Sequence, residues 1–309
     1  MAEEPVAAGR RDEGFAHLDA AGRAVGAVSA RPASAMLALV LAVSAFAWWF
    51  LAQMAGSLAA FAGGDALGPG MGLVSKLLPV APGSLAAFLA DICLSSGIVV
   101  PGGVSGLAEF AVLFAMWLAM AAAMMLPTAA PMIRTYAEIA DTAAGKDEPV
   151  VHVLVLVAGY LAVWAAAALG FAALQIAIAR LAGATLSAPA SNAIAGAILL
   201  LAGIYQFLPL KHACLEKCRN PFTILFSRWN RTAAGVFRLG VDQGLYCLGC
   251  CWALMLIMLA TGTMNIVWMA ALTVFAFVEK TGTGPVTSRI GGAIVSLWGA
   301  ALIAASVTA

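Results

Sequence analysis

The chain has 309 residues, of which 63% are hydrophobic and only 10% are charged, and its mean hydropathy is +0.98. These values lie outside the range of soluble globular proteins, so they predict an integral membrane protein whose main partner is the lipid bilayer. The net charge of +1 argues against a nucleic-acid partner, because binding to a phosphate backbone needs a strongly basic surface.

In chain order, residues 1–35 mix charges of both signs without apolar periodicity and are predicted to form a disordered cytoplasmic tail. Residues 36–309 are predicted to form a single transmembrane helical domain. Its apolar runs of near-spanning length are 36–56, 107–126, 150–178, 191–209, 244–262, 264–280 and 287–307. The run 264–280 is the weakest because it is short, and the Gly- and Pro-rich stretch 57–106 could contain a re-entrant segment. The predicted fold class is all-α, a polytopic membrane bundle of about seven transmembrane helices.

The distribution of Lys and Arg predicts the orientation of these spans. Of the 16 Lys and Arg residues, only Lys76 and Arg180 fall in connections on one side of the membrane, and all the others fall on the opposite side. By the positive-inside rule, the N-terminus is predicted to be cytoplasmic and the C-terminus to lie outside.

Five of the six cysteines form two motifs. Cys214 and Cys218 are spaced i,i+4, and Cys247 precedes Cys250 and Cys251 by three and four residues, so each motif places thiols on one helix face. Adjacent helical residues are about 100° apart, so one of Cys250 and Cys251 is expected to point away. Both motifs lie at predicted cytoplasmic ends of spans, where the reducing compartment disfavours structural disulfides.

Sulfur donors predict a site for a soft metal. Thiolates and thioethers select copper(I), zinc or iron–sulfur clusters over hard ions, and two thiols from each motif would complete a four-thiolate site for zinc or a small cluster. Met124, Met125 or Met255 would shift the preference to copper(I). His212 is a further candidate ligand because it is close to Cys214 in the sequence. The cysteines and methionines also have a structural interpretation, since both residue types fill apolar cores.

Glu279 is the acidic residue at the predicted cytoplasmic end of the run 264–280. A carboxylate at the edge of the hydrocarbon is costly and tends to be paired or functional. Lys280 and Arg219 are the candidates to neutralise it, a carboxylate that reaches the interface is the structural alternative, and Glu279 is also a candidate metal ligand.

Three segments resemble a bacterial family described as predicted metal-binding integral membrane proteins, a multi-span domain of unknown function. The resemblance rests on WLAMAAAMMLPTAAPM (117–132), YQFLPLKHACLEKCRNP (205–221), and GLYCLGCCWALM with TMNIVWM and VEK (244–280). It implies a multi-pass protein of the bacterial inner membrane with a metal site. The ligands that it implies are Cys214, Cys218, Cys247, Cys250, Cys251, Met124, Met125 and Glu279.

The leading hypothesis is a membrane protein that binds a soft metal, foremost copper(I), and captures, delivers or senses it through this cysteine and methionine cluster, with a metal-donor or metal-acceptor protein as its partner. A second hypothesis is a membrane thiol–disulfide oxidoreductase, since cationic neighbours make thiols reactive. A third is a structural role, either as a zinc-stapled protein or as an assembly subunit. No catalytic residue is identified by the sequence.

Overall fold

The computed structural model describes residues 32–77, 106–146, 148–182 and 188–308, and these residues form helices and connections without a β-strand. The predicted all-α fold class is therefore confirmed over the described part of the chain. Residues 1–31, which make up most of the predicted tail, lie outside it, as do residues 78–105. The α-helices are α1 (Pro32–Ala62), α2 (Met71–Val74), α3 (Leu107–Met124), α4 (Ala130–Ala144), α5 (Val153–Ala182), α6 (Ala188–Tyr205), α7 (Pro209–Arg219), α8 (Pro221–Ser227), α9 (Ala233–Thr261), α10 (Ile266–Thr281) and α11 (Val286–Thr308).

Among the described residues, five helices are long and apolar enough to cross a membrane, namely α1, α3, α5, α9 and α11. Helices α6 and α7 supply a sixth candidate if they are taken together across a 63° bend. The sequence predicted seven spans, and the difference lies in α6, which counts only together with α7, and in α10, which has 16 residues. At about 1.5 Å per residue such a helix is roughly 24 Å long, which is less than the hydrocarbon thickness of about 30 Å. The seventh span and the cytoplasmic N-terminus stay predictions.

Local sequence signals set the helix ends that matter for the site. Pro209 and Pro221 occupy the first turns of α7 and α8, where a missing N–H costs no hydrogen bond. Thr232 caps α9 by accepting from the backbone N–H of Gly235 at 3.2 Å. Asn265 caps α10 by accepting from the N–H of Trp268 at 3.2 Å. Both caps are of the residue types preferred at helix N-termini.

Helices α5 and α9 approach so closely that only glycine fits at their crossing. A Cβ atom added at Gly240 of α9 would collide with the carbonyl oxygen of Leu156 on α5, and one added at Gly159 would collide with the carbonyl oxygen of Phe237. Close backbone approach through small residues is the usual way in which membrane helices associate. Because α9 carries three of the cysteines, this crossing sets their position against α5.

We expect Gly240→Ala to destabilise the protein by about 1–3 kcal/mol, the usual cost of inserting an atom into a filled interface. The loss should appear as a lower midpoint of thermal unfolding in detergent, followed by tryptophan fluorescence. Gly170→Ala on α5 is the matched control, since nothing lies within 4 Å of its added Cβ atom. Equal midpoints for the two variants would contradict the close crossing.

One end of the bundle brings together the end of α3, helix α4, the start of α5, the bend between α6 and α7, and the end of α10; we call it the cysteine end. Tyr136 on α4 helps to close it by donating a hydrogen bond to the carbonyl of Val151 at 2.9 Å and by packing its ring 5.3 Å from that of Trp229. Burial raises the pKa of Tyr136 to about 12, so its hydroxyl remains a donor at physiological pH.

Candidate metal centre

The bend after α6 lays the first cysteine motif against the second. Helix α6 ends at Tyr205, and Leu208 has an extended backbone (φ −72°, ψ 140°) before Pro209 begins α7. The Tyr205 hydroxyl donates to the carbonyl of Gly249 on α9 at 2.5 Å. Helix α7 therefore lies beside the middle of α9, at the level of the second motif.

Sulfur atoms from both motifs meet at this contact. The Sγ atom of Cys218 on α7 lies 3.8 Å from that of Cys250 on α9, and the Sγ atoms of Cys250 and Cys251 are 3.3 Å apart. Cys214 faces α9 at Gly249, where an added Cβ atom would lie 2.6 Å from its sulfur. The five cysteines 214, 218, 247, 250 and 251 are all free thiols.

The expectation that one of Cys250 and Cys251 points away is wrong. Their side chains leave the helix about 100° apart, but both are buried, at 0% and 1% exposure. The two sulfurs lie 3.3 Å apart, because rotation about each Cα–Cβ bond lets both side chains turn into the same space.

Cys247 lies one helical turn before Cys250 and contacts polar groups from two other helices. Its Sγ atom is 3.0 Å from the hydroxyl of Tyr160 on α5 and 3.1 Å from Nζ of Lys280 on α10. The Lys280 ammonium also donates to the Thr128 hydroxyl at 2.6 Å. The Tyr160 hydroxyl in turn donates to the carbonyl of Met125 at 3.1 Å. The sulfur is therefore in contact with one cation and one hydroxyl, and a second hydroxyl contacts the cation.

A buried ion pair fixes α7 to α10. Lys211 Nζ lies 2.6 and 2.9 Å from the two carboxylate oxygens of Glu279, and the exposed fractions of the two side chains are 0% and 1%. The Gln206 amide oxygen accepts a further hydrogen bond from the same ammonium. The expectation that Lys280 or Arg219 neutralises Glu279 is therefore wrong, because Lys211 takes both carboxylate oxygens.

Arg219 makes a second attachment at the other end of α7. Its Nε donates to the main-chain carbonyl of Glu279 at 2.9 Å and its Nη2 to that of Gly284 at 3.0 Å. These carbonyls lie at or just beyond the C-terminus of α10, where a helix leaves acceptors unpaired and favours a cation. Both ends of α7 are thus attached to the C-terminal end of α10 or the residues just after it.

The remaining predicted ligands lie nearby without a comparable contact to a cysteine sulfur. Met124 and Met125, at the end of α3, are fully buried at 0% exposure. His212 is half-buried on α7, about 200° around the helix from Cys214 at 100° per residue. The ligand roles of these residues stay predictions.

Tyr160, Thr128 and Gln243 also lie at the site, although they were not predicted from the sequence. Gln243 precedes Cys247 by one helical turn on α9 and is 3% exposed. Gln243 immediately precedes the apolar run 244–262, and its position one helical turn before Cys247 is a signal that could have been used. Tyr160 carried no such signal, because a tyrosine in an apolar run is most simply an interface residue.

The part of the chain from residue 114 to residue 302 matches the model of the PpoB2 family, which is described as a copper chaperone. This match covers more than half of the chain and includes every predicted ligand. The protein belongs to this family. No curated protein and no solved structure matches the chain.

Membership of the copper chaperone family supports a copper-related role and confirms the prediction of a metal-related family. Among the described residues, no group of three or more His, Cys, Asp or Glu side chains is already arranged around one metal position. The sulfurs of Cys218 and Cys250 nevertheless fit a shared ion. Two metal–sulfur bonds of about 2.3 Å span roughly 3.8 Å at a tetrahedral angle, and the observed separation is 3.8 Å.

Proposed function

We propose that the protein is a membrane copper(I) chaperone that holds its cargo with sulfur ligands at the cysteine end. The observation that carries the proposal is the approach of Cys218 to Cys250, 3.8 Å between sulfurs on two different helices. Cys251, with its sulfur 3.3 Å from that of Cys250, is the third ligand. Because α7 and α9 each supply a thiolate, copper binding would also hold these helices together.

Thioethers support copper(I) over zinc as the cargo. The chain has 13 methionines; Met1 lies outside the described residues, and the other methionines are all buried, none more than 7% exposed. The exposed large apolar side chains are Leu, Val, Ile, Phe and Trp. Met124 and Met125 lie at the cysteine end and are the thioether ligands in our proposal. Thioether donors favour copper(I), whereas zinc prefers thiolate and imidazole.

The charges near Cys247 suit a thiolate site. Two or three thiolates around a monovalent ion leave a net negative charge, which is expensive in a buried place. The Lys280 ammonium, 3.1 Å from the Cys247 sulfur, offsets this charge. Cys247 would then be a reserve ligand that the ion reaches after Cys218 and Cys250.

The cysteines differ in exposure, and this difference suits the transfer of copper to or from another protein. Cys214 and Cys218 are half-buried, whereas Cys247, Cys250 and Cys251 are buried. A metal-donor or metal-acceptor protein would exchange copper with the half-buried pair first. The distribution of Lys and Arg supports a cytoplasmic position for this end, in the inner membrane of a bacterium.

The deciding experiment is metal loading of the reduced, full-length protein in detergent under anaerobic conditions. We expect about one copper(I) per chain to be retained against a copper(I)-specific chelator, with zinc displaced by copper, since soft donors favour copper(I). The number of thiols that react with a colorimetric reagent should fall on loading. Retention of zinc in preference to copper would support the structural zinc role instead, and retention of neither metal would refute the proposal.

A thiol–disulfide oxidoreductase is the second candidate function. It is favoured by the same separation of 3.8 Å between the Cys218 and Cys250 sulfurs, since a small rotation would bring the pair to bonding distance. A relay across the membrane would need a thiol at the other end, where the sequence offers only Cys93, outside the described residues. Thiols that cycle between oxidised and reduced forms without binding copper would favour this function.

A further inference from the structure

A groove with a volume of ≈ 530 Å³ lies between α4 and α8 at the cysteine end, within the range of roughly 300–1,000 Å³ that is usual for sites of small molecules. Its apolar walls are formed by Ile139 of α4, Phe222 and Phe226 of α8, and Trp229. The rings of Phe222 and Phe226 are stacked, with centroids 5.6 Å apart, yet the two side chains remain 57% and 67% exposed. The groove therefore offers an apolar surface that the described part of the chain leaves uncovered.

The groove lies near the expected boundary between the hydrocarbon of the membrane and the lipid headgroups. On α1, Ser44 and Trp48 donate to the carbonyls of residues 122 and 123, near the end of α3, so residues 32–43 extend beyond that end of α3, and α4 also packs against α1. Leu39 and Leu41 in this extension are 46% and 52% exposed, as side chains that face lipid chains should be. Helix α4 itself exposes mainly polar residues, as a helix at the membrane surface does. A ligand in the groove would thus meet both lipid chains and headgroups.

Three charged residues, Glu138, Lys146 and Glu148, line the same groove. Lys146 is exposed and forms no ion pair within the described part of the chain. Glu138 and Glu148 are each paired through one carboxylate oxygen, with Arg134 at 2.7 Å and Arg231 at 2.9 Å. Among the described residues, the second oxygen of each carboxylate accepts no hydrogen bond. The groove thus offers one ammonium and two carboxylate oxygens beside its aromatic walls.

This combination matches a phospholipid whose headgroup carries a primary ammonium. The phosphate would accept from Lys146, and the ammonium would donate to the second oxygens of Glu138 and Glu148, in charge-assisted hydrogen bonds. A choline headgroup has no N–H group to donate, and a headgroup with a net negative charge would face the two carboxylates. An acyl chain would cover the exposed rings of Phe222 and Phe226, a contact that a soluble phosphoamine cannot make.

We propose that the groove between α4 and α8 binds one molecule of phosphatidylethanolamine, with its headgroup held by Lys146, Glu138 and Glu148 and an acyl chain on the aromatic walls. Asn220 is the only residue between α7 and α8, so the bound lipid would also brace the cysteine-bearing helix α7. Lipid binding requires no copper and does not depend on the proposed function.

The test uses the full-length, reduced and metal-free protein in vesicles of equal parts phosphatidylethanolamine and phosphatidylcholine. Bromine is carried by the acyl chains of one lipid or of the other, and it quenches tryptophan fluorescence at contact. The signal of Trp229, one of 8 tryptophans, is the difference between the wild type and Trp229→Phe. We expect the quenching of this signal to be at least about threefold stronger with brominated phosphatidylethanolamine, the size of preference that one or two exposed ion pairs give.

Lys146→Gln and Glu148→Gln should each bring the ratio of the two quenching efficiencies toward one, whereas Lys146→Arg keeps the charge and should keep the preference. Lys217→Gln is the matched control, because Lys217 is also an exposed lysine without an ion pair in the described part of the chain, but it lies on α7 and does not line the groove. Equal quenching by the two lipids would show only the ordinary lipid annulus and overturn the proposal. The absence of Trp229 quenching, a preference that survives Lys146→Gln, or displacement of the lipid by soluble glycerophosphoethanolamine would also overturn it.

Discussion

Glu279→Gln is expected to lower the free energy of unfolding by about 3–5 kcal/mol, the usual cost of removing one partner of a buried ion pair. The variant leaves the Lys211 ammonium, 0% exposed, without a negative charge beside it, because the amide oxygens of Gln206 and of the introduced glutamine are neutral acceptors. An uncompensated charge in a buried place either deprotonates or draws in water, and both disturb the packing of α7 on α10. The measurement is the unfolding midpoint in mixed micelles, followed by tryptophan fluorescence.

Two controls separate the loss of charge compensation from the loss of a contact. The exposed pair between Arg134 and Glu138 has a comparable distance, 2.7 Å, with side chains 68% and 55% exposed, so Glu138→Gln should cost less than about 1 kcal/mol. The double variant Lys211→Met/Glu279→Met replaces both charges with apolar groups and should recover most of the stability. Equal effects of Glu279→Gln and Glu138→Gln would show that the ion pair does not stabilise the protein.

The ion pair also explains why the sequence could not identify the partner of Glu279. Residues 211 and 279 are separated by 68 positions, and pairing at that separation depends on where α7 lies, which no local pattern encodes. Lys280 was chosen because it is adjacent to Glu279 in the sequence, and Arg219 because it is a cation in the predicted cytoplasmic loop. In the structure Lys280 turns to Cys247, and Arg219 caps the end of α10.

What the sequence predicted well was local or compositional. Apolar runs of spanning length predicted α1, α3, α5, α9 and α11, because burial in lipid leaves a strong signal in hydropathy. The cysteine spacings predicted two helical faces, and the structure brings Cys218 of one to Cys250 of the other. The 63° bend escaped prediction, because it depends on the backbone at Leu208 and Pro209.

The effect of a cysteine-to-serine substitution on copper(I) affinity should depend on the position of the cysteine. We expect Cys218→Ser and Cys250→Ser each to weaken copper(I) binding by more than about 100-fold, beyond the 10–100-fold typical for residues that only support a metal ligand. Serine keeps the size of the side chain and replaces a soft donor with a hard one. Cys214→Ser should weaken binding less than about tenfold, because the Cys214 sulfur packs over Gly249 and is outside the contact between the Cys218 and Cys250 sulfurs. The measurement is competition with a copper(I)-specific chromophoric chelator.

Cys247→Ser tests whether copper reaches the cysteine ligands one after another in a fixed order. In the proposed order of transfer Cys247 receives copper after Cys218 and Cys250, so its loss should leave the equilibrium affinity within about tenfold of the wild type. Release to an acceptor should become faster, because the acceptor takes copper from the half-buried pair and no deeper ligand then competes for the ion. Stopped-flow transfer to the chelator measures that rate. If Cys247→Ser instead weakens binding as much as Cys250→Ser, then Cys247 belongs to the resting site. In that case the ammonium of Lys280, 3.1 Å from its sulfur, neutralises the bound thiolate from the start.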